Sequence, residues 1–335
     1  MSTPLSVNRA TGGTEGASGH RPRLLITRRI DPRVRAHLAE VFAIEDNPQD
    51  DVWSLCGLHA RLADKDAALV VASDQVDRRF LAAAPHLRMV ATGSVGTNHI
   101  DLTACRARGV QVTHTPGVLD EATADMAWAL LMAAARRISE AERWLRDGHW
   151  QRWAWDQFLG ADVHGTTLGL IGMGRIGCAI ARRARGFGME ILYANRRPSP
   201  HEAELGAHRV AMSELLARAD HVILAVPYSP ETHHLIDAAA LARMKPTATL
   251  VNIARGGVVD DAALAAALQA GQLAAAGLDV YEGEPDILPA LLACRQVVLT
   301  PHIGSATRDC RLAMAMLAAR NLTAVFSGRP ALTPV

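Results

Sequence analysis

A chain of 335 residues, 49% hydrophobic and 21% charged, is long enough for two domains and too apolar to remain disordered. Its 35 Lys and Arg against 34 Asp and Glu leave a formal net charge of +1, which excludes the broad basic field that nucleic acid or an anionic membrane would require and favours a small-molecule partner. Five scattered cysteines with no CxxC spacing predict reduced thiols and a cytoplasmic location, and no apolar run approaches the roughly 18 to 20 residues of a membrane span.

Residues 1–21, rich in Ser, Thr and Gly with no apolar core, predict a disordered tail rather than a signal peptide. From residue 22 to about Gly117, the β-type runs "RLLIT", "AALVVAS", "LRMVATG" and "VQVTHTP" alternate with Ala-rich helical stretches. This is the rhythm of βαβ units and a parallel sheet. Apolar residues at Ala127, Leu130, Leu131, Ala134, Ile138, Ala141 and Leu145 predict one long helix from about Ala124 to Asp147, ending near Gly148. The alternation then restarts at "TTLGLIG", "EILYA", "HVILAVP", "ATLVNIA", "LAAAGLDV" and "QVVLTPH". The final "ATRDCRLAMAMLAARNLTAVFSG" reads as a helix that packs back on the first unit. The predicted class is α/β with two Rossmann-like, doubly wound parallel-sheet domains. The first domain is discontinuous, 22–117 and 304–335, with the second, 118–303, inserted in it.

"GLIGMGRIG" places Gly172, Gly174 and Gly177 directly between a strand and a helix. The first glycine permits a tight turn, the second a close approach of pyrophosphate, and the third close packing of helix on strand. The amides of Arg175 and Ile176 at the helix N-terminus complete a phosphate cradle. About 20 residues onward, where a carboxylate would hold the adenosine ribose, stand Asn195, Arg196 and Arg197. A carboxylate there would repel a 2′-phosphate, whereas a guanidinium forks onto one. The sequence therefore predicts NADP(H), with NAD(H) as the other possible cofactor.

Together "LGLIGMGRIGCAIARRARGFGM", "ADHVILAVPYSPETHHLID", "LVNIARGGVVDDAAL", "GQLAAAGLDVYEGEP" and "LTPHIGSAT" resemble the D-isomer-specific 2-hydroxyacid dehydrogenases over about residues 22 to 328. The resemblance implies a catalytic trio of Arg255, Glu284 and His302. His302 would protonate the alkoxide that forms as hydride reaches a 2-keto carbon, Glu284 would orient its ring, and Arg255 would clamp the substrate carboxylate. It further implies that Ser94, Val95 and Gly96 receive that carboxylate on backbone amides. Thr123, Asp279 and Gly304 would lie near the nicotinamide, with Asp279 holding the carboxamide. Ala225, Val226 and Pro227, ending the third strand of the cofactor sheet, would line the adenine side, and Ile253 and Ala254 would flank the nicotinamide. His233 and His234 lack metal-ligand spacing with a second pair and read as surface or loop residues, so no metal is expected.

Five of the six tryptophans lie between Trp128 and Trp155, and "RDGHWQRWAW" resembles the "GGW..W" segment of glyoxylate/hydroxypyruvate reductases. That likeness implies a homodimer in which Trp153 from the partner subunit walls the pocket, and a substrate such as glyoxylate or hydroxypyruvate. Two alternatives stay open: phosphite dehydrogenase or another D-2-hydroxyacid dehydrogenase, and a cofactor-sensing binding protein like the C-terminal-binding-protein corepressors.

Overall fold

The computed structural model describes residues 21–335, so all of the predicted tail but its last residue lies outside the described residues. The first sheet is built from β1 (Arg23–Ile26), β2 (Ala43–Glu45), β3 (Ala67–Val70), β4 (Met89–Thr92) and β5 (Gln111–Thr113), all parallel in the order β2-β1-β3-β4-β5. β3 and β4 are buried along their whole length, as continuous apolar runs in a doubly covered parallel sheet must be.

The second sheet contains β6 (Thr167–Ile171), β7 (Glu190–Ala194), β8 (Ala207–Arg209), β9 (His221–Leu224), β10 (Thr249–Asn252), β11 (Ala275–Leu278) and β12 (Val297–Leu299), in the parallel order β12-β11-β10-β9-β6-β7-β8. Alternate side chains feed opposite layers. Leu168, Leu170, Ile191, Tyr193, Ile223 and Val251 pack with the helices Asp120–Ala135 and Arg175–Gly186. Leu192, Val222, Leu224, Leu250 and Leu278 pack with Leu215, Leu241, Leu264 and Leu291 on the other face. The strand order reverses between β6 and β9, and in such sheets that reversal opens the ligand crevice at the carboxyl ends of the strands.

The helix Arg308–Phe326 returns to the first sheet. Its Ala318, Ala319 and Leu322 share a core with Leu24, Ile26, Phe42 and Met89, and Phe326 meets Phe42 edge-on at 5.0 Å. The C-terminus then pairs with the exposed edge of β5 through the Thr113 to Pro334 bridge. No helix among the described residues is long and apolar enough to cross a membrane.

The structure corrects three expectations. The long helix is two, Asp120–Ala135 and Ile138–Arg146, broken at Arg137, whose φ is 54°. The Ala135 carbonyl accepts instead from the amide of Ala161 at 2.8 Å, which stops the first helix while the apolar spacing runs on. Ala127, Leu130, Leu131 and Ala134 are buried, but Ile138 and Leu145 are exposed. The three-residue edge strands β2 and β8 were not foreseen. Because of β8, Ala225 to Pro227 follow the fourth strand of the cofactor sheet rather than the third.

Candidate active site

The glycine turn joins β6 to the helix Arg175–Gly186 in the crevice at the strand reversal. Gly172 has φ of 99°, and a Cβ there would stand 2.6 Å from the Ala225 carbonyl oxygen, so only glycine fits. At Gly174 a Cβ would meet nothing within 4 Å. Space is left open at the helix N-terminus, as the approach of a pyrophosphate requires. Arg175 lies 3.4 Å from Asp120, and Ile176 packs against the adjoining cores.

At the end of β7, Asn195 turns its carboxamide onto the glycine turn, accepting from the Met173 amide at 2.7 Å. Arg196 and Arg197 are exposed, and neither pairs with a carboxylate among the described residues. Arg209 on β8 forks onto the carbonyl oxygens of Asn195 and Arg196 at 3.0 to 3.2 Å and so fixes this loop. No sequence signal marked Arg209, because the short strand that carries it has none.

At the other end of the crevice, His302 Nδ1 lies 2.7 Å from Glu284 Oε2, and Glu284 Oε1 accepts from the Tyr281 amide at 2.9 Å. Burial pushes the Glu284 carboxyl up, but bonding to His302 and Tyr281 and the charges of His302 and Arg255 outweigh it and hold the group below its ordinary value. His302 has φ of 53°, a left-handed backbone that a non-glycine residue keeps only under restraint. The restraint comes from Asp279. Its carbonyl accepts from the His302 amide at 2.9 Å, and its buried carboxylate accepts from Thr300 Oγ1, Ile303 N and Gly304 N at 2.6 to 2.8 Å. Asp279 thus shapes the histidine loop, a task beyond the carboxamide contact that the resemblance implies. Thr123 lies beside it: a Cβ on Gly304 would meet Asp279 Oδ2 at 3.0 Å and Thr123 Cγ2 at 3.6 Å.

Arg255 follows β10, where Asn252 organises the turn by accepting from Ala254 N at 3.0 Å and donating to the Arg255 carbonyl at 3.2 Å. The guanidinium crosses to the loop after β4, its Nε donating to Asn98 Oδ1 at 3.1 Å, and a Cβ on Gly96 would overlap Nη2. Burial disfavours its charge and Glu284 partly restores it. Ser94 shapes the same loop by donating to the Gly96 carbonyl at 2.7 Å, beside Thr92 and His99. Arg255, Glu284, His302 and the 94–96 loop therefore meet, while Ala225 to Pro227 and Ile253 to Ala254 follow β9 and β10 along the same crevice. Trp153 stands apart, 69% exposed and edge-on to Trp155. Asn98 was missed, since an amide in a loop has no distinguishing pattern.

His233 and His234 lie in the turn that follows β9, the first exposed and the second half-buried. Their potential ligand atoms and those of Glu282, 48 residues beyond His234, lie within 4.8 Å of one another. The two rings stack at 3.9 Å with planes 23° apart, and His234 Nε2 bonds Glu282 Oε1 at 2.7 Å.

Residues 128–304 match the family model described as D-isomer specific 2-hydroxyacid dehydrogenase, NAD binding domain. A glyoxylate reductase of Thermococcus onnurineus is 48% identical over 92% of this chain and 94% of its own length. Among solved structures, an NADPH-dependent glyoxylate/hydroxypyruvate reductase from Sinorhizobium meliloti, in complex with NADP and malonate, is similar at 38% identity. It covers 94% of this chain and 97% of its own, with a TM-score of 0.83. A D-lactate dehydrogenase from Aquifex aeolicus, complexed with NAD and lactic acid, is 28% identical over 91% and 95%, with a TM-score of 0.81. The chain belongs to the D-isomer-specific 2-hydroxyacid dehydrogenase family. It is an NAD(P)-dependent enzyme that uses a nicotinamide cofactor to reduce a small keto acid.

Proposed function

We propose that this enzyme reduces glyoxylate, hydroxypyruvate or both to the 2-hydroxy acid with NADPH, in the cytoplasm. The bound nicotinamide supplies the hydride. Arg255 and the amides of the Ser94 to Gly96 loop hold the substrate carboxylate, fixing the keto carbon for attack. His302 donates a proton to the oxygen as negative charge develops, and Glu284 keeps its ring oriented while stabilising the imidazolium. The glycine turn and the N-terminus of the following helix hold the pyrophosphate.

The cofactor preference rests on one observation: Asn195 is turned onto Met173, and beside it Arg196 and Arg197 are exposed and form no ion pair among the described residues, the charge of Arg196 acting only at longer range on Glu231. The strand end therefore offers guanidinium to a 2′-phosphate and no acidic acceptor to a ribose. The deciding experiment is a steady-state comparison of glyoxylate, hydroxypyruvate, pyruvate and phosphite with NADPH and NADH. Highest kcat/KM for glyoxylate or hydroxypyruvate with NADPH is expected. Preference for phosphite, or for NADH throughout, would refute the corresponding half of the proposal, and no turnover would revive the cofactor-sensing alternative.

We further infer that residues 22–117 with 304–335 and residues 118–303 form two units that close on the cleft, and that the active form is a homodimer. Ile138, Leu145, Trp150, Trp153, Trp155 and Leu159 form an exposed apolar run on and after the helix Ile138–Arg146, in which no residue is buried. A second copy covering this run would bring Trp153 to the neighbouring pocket. Sedimentation should show a dimer, and Trp153→Ala should raise KM for the keto acid. A fully active monomer would remove this part.

A further inference from the structure

The Arg255 loop and the Glu284 loop touch directly. A Cβ on Gly256 would collide with the Tyr281 carbonyl, so the two backbones run in contact one residue after Arg255 and three before Glu284. A third segment joins them. The His234 amide donates to the Gly257 carbonyl at 2.7 Å, and its ring Nε2 reaches Glu282 Oε1 at 2.7 Å. Glu282 Oε2 accepts from the Asp261 amide at 3.4 Å, and the Glu282 amide donates to Asp261 Oδ2 at 3.0 Å. Ile236 and Val259 continue the junction as a parallel bridge.

His234 holds φ of 49°, in the left-handed region, where its backbone and ring hydrogen bonds keep it. One residue thus grips the chain two positions after Arg255 with its backbone and two positions before Glu284 with its side chain.

We propose that His234 is a positioning residue that holds the Arg255 and Glu284 loops in one register, so that carboxylate clamping and orientation of His302 depend on it together. The inference rests on the reading that Arg255, Glu284 and His302 carry the reduction. His234 contacts none of the reacting atoms and acts through the two loops.

The charged and titratable groups facing it are Glu282, Asp260 at 3.9 Å from Nδ1, Asp261 behind Glu282, the stacked His233, and Tyr228, whose hydroxyl lies 3.2 Å from His233 Nδ1. The hydrogen bond to Glu282, opposed by burial and aided by the charges of Glu282, Asp260 and Asp261, raises the His234 imidazole above its ordinary value. A raised histidine makes its contribution in full at low pH and loses it as pH rises through the raised value. The joint is therefore tight below the imidazole's ordinary value and loosens as pH rises through the raised one.

The test compares His234→Ala, His234→Gln and Glu282→Gln with the wild type in glyoxylate reduction across pH, with cofactor binding followed separately by fluorescence. A misplacement of about 1 Å lowers rates by about 10²-fold, so His234→Ala should lower kcat/KM roughly ten- to a hundredfold. It should do so through both kcat and KM while cofactor affinity holds. His234→Gln keeps an N–H donor to Glu282 and should recover most of the activity. It cannot titrate, so the rise in KM for the keto acid expected of the wild type as pH climbs should be absent from this variant. Glu282→Gln should cost about as much as His234→Ala, with little further loss when the two are combined.

Equal impairment in the Ala and Gln variants, an unchanged pH profile in the Gln variant, or wild-type kinetics in the Ala variant would each overturn the proposal. Should the Ala variant fail to fold, the Gln and Glu282→Gln profiles still decide. A wild type that reduces no 2-keto acid would overturn the underlying reading as well, whereas normal wild-type turnover with unaffected variants overturns only the joint.

Discussion

His302 Nδ1 and Glu284 Oε2 lie 2.7 Å apart, and the carboxylate's other oxygen is fixed by the Tyr281 amide. This leaves the imidazole with one orientation and its Nε2 free for the substrate. Removing the ring in His302→Ala should lower kcat by roughly 10² to 10⁴, the range of a general acid. Glu284→Gln should lower it less, because the ring stays but its imidazolium form loses an opposite charge. The lowered Glu284 group also fixes a sign: its contribution is complete above the ordinary carboxylate value and is lost as pH falls through the depressed one. Stopped-flow turnover in the acid range should show the wild type keeping this pair below pH 4.5, the group's unperturbed value. An unchanged rate in His302→Ala would remove it from the chemistry.

Arg196 and Arg197 should discriminate cofactors by charge alone. A hydrogen bond to a charged group contributes about 1.5 to 3 kcal/mol. The double replacement Arg196→Asp, Arg197→Asp should therefore raise KM for NADPH by roughly one to two orders of magnitude and leave NADH far less affected. Equal effects on both cofactors would return the pair to ordinary solvated surface and leave the catalytic trio untouched. Arg209→Ala should give a smaller shift in the same direction, since it holds the loop through the carbonyls of Asn195 and Arg196.

The glycine turn and the loops of Arg255, Glu284 and His302 were legible because each combines residue types that chemistry restricts with a strand-end position that periodicity reveals. The strands that fill the cores were legible for the same reason: continuous apolar runs between turns. What escaped notice had no such mark. β2 and β8 are three-residue edge strands with little burial to impose a pattern, and Arg209 was lost with the second of them. The break at Arg137 is hidden because the apolar spacing continues into a helix whose apolar residues face outward. The pairing of His234 with Glu282 and of Asn98 with Arg255 spans 48 and 157 residues, which only the folded chain brings together.

Gly96 and Gly256 both flank Arg255, yet replacement by alanine should separate substrate binding from folding. At Gly96 the new Cβ would overlap Arg255 Nη2, the end of a flexible side chain. Gly96→Ala should fold, melt close to the wild type, and raise KM for the keto acid roughly tenfold or more as the guanidinium is displaced. At Gly256 the obstacle is the Tyr281 carbonyl and the Glu282 amide, backbone that cannot step aside. Gly256→Ala should lose about 4 kcal/mol or more, which calorimetry would register as a large fall in Tm. Similar melting temperatures for the two variants would contradict this division.

Beneath the substrate loop, His99 is buried, with Nε2 3.0 Å from Thr92 Oγ1 and Nδ1 without a partner among the described residues. Burial, aided by the nearby Arg255 charge, lowers its imidazole from 6.5 to about 4. Here the unfolded chain binds the proton more readily than the folded one, so stability rises with pH across that interval and is lost as pH falls through it. The shift corresponds to about 3 kcal/mol, complete above the unfolded value and absent below the folded one. Denaturant melts between pH 7 and pH 4 should show this loss in the wild type. His99→Gln, which keeps a polar contact to Thr92 but takes up no proton, should flatten the slope. A slope unchanged in that variant would place the acid sensitivity on other groups.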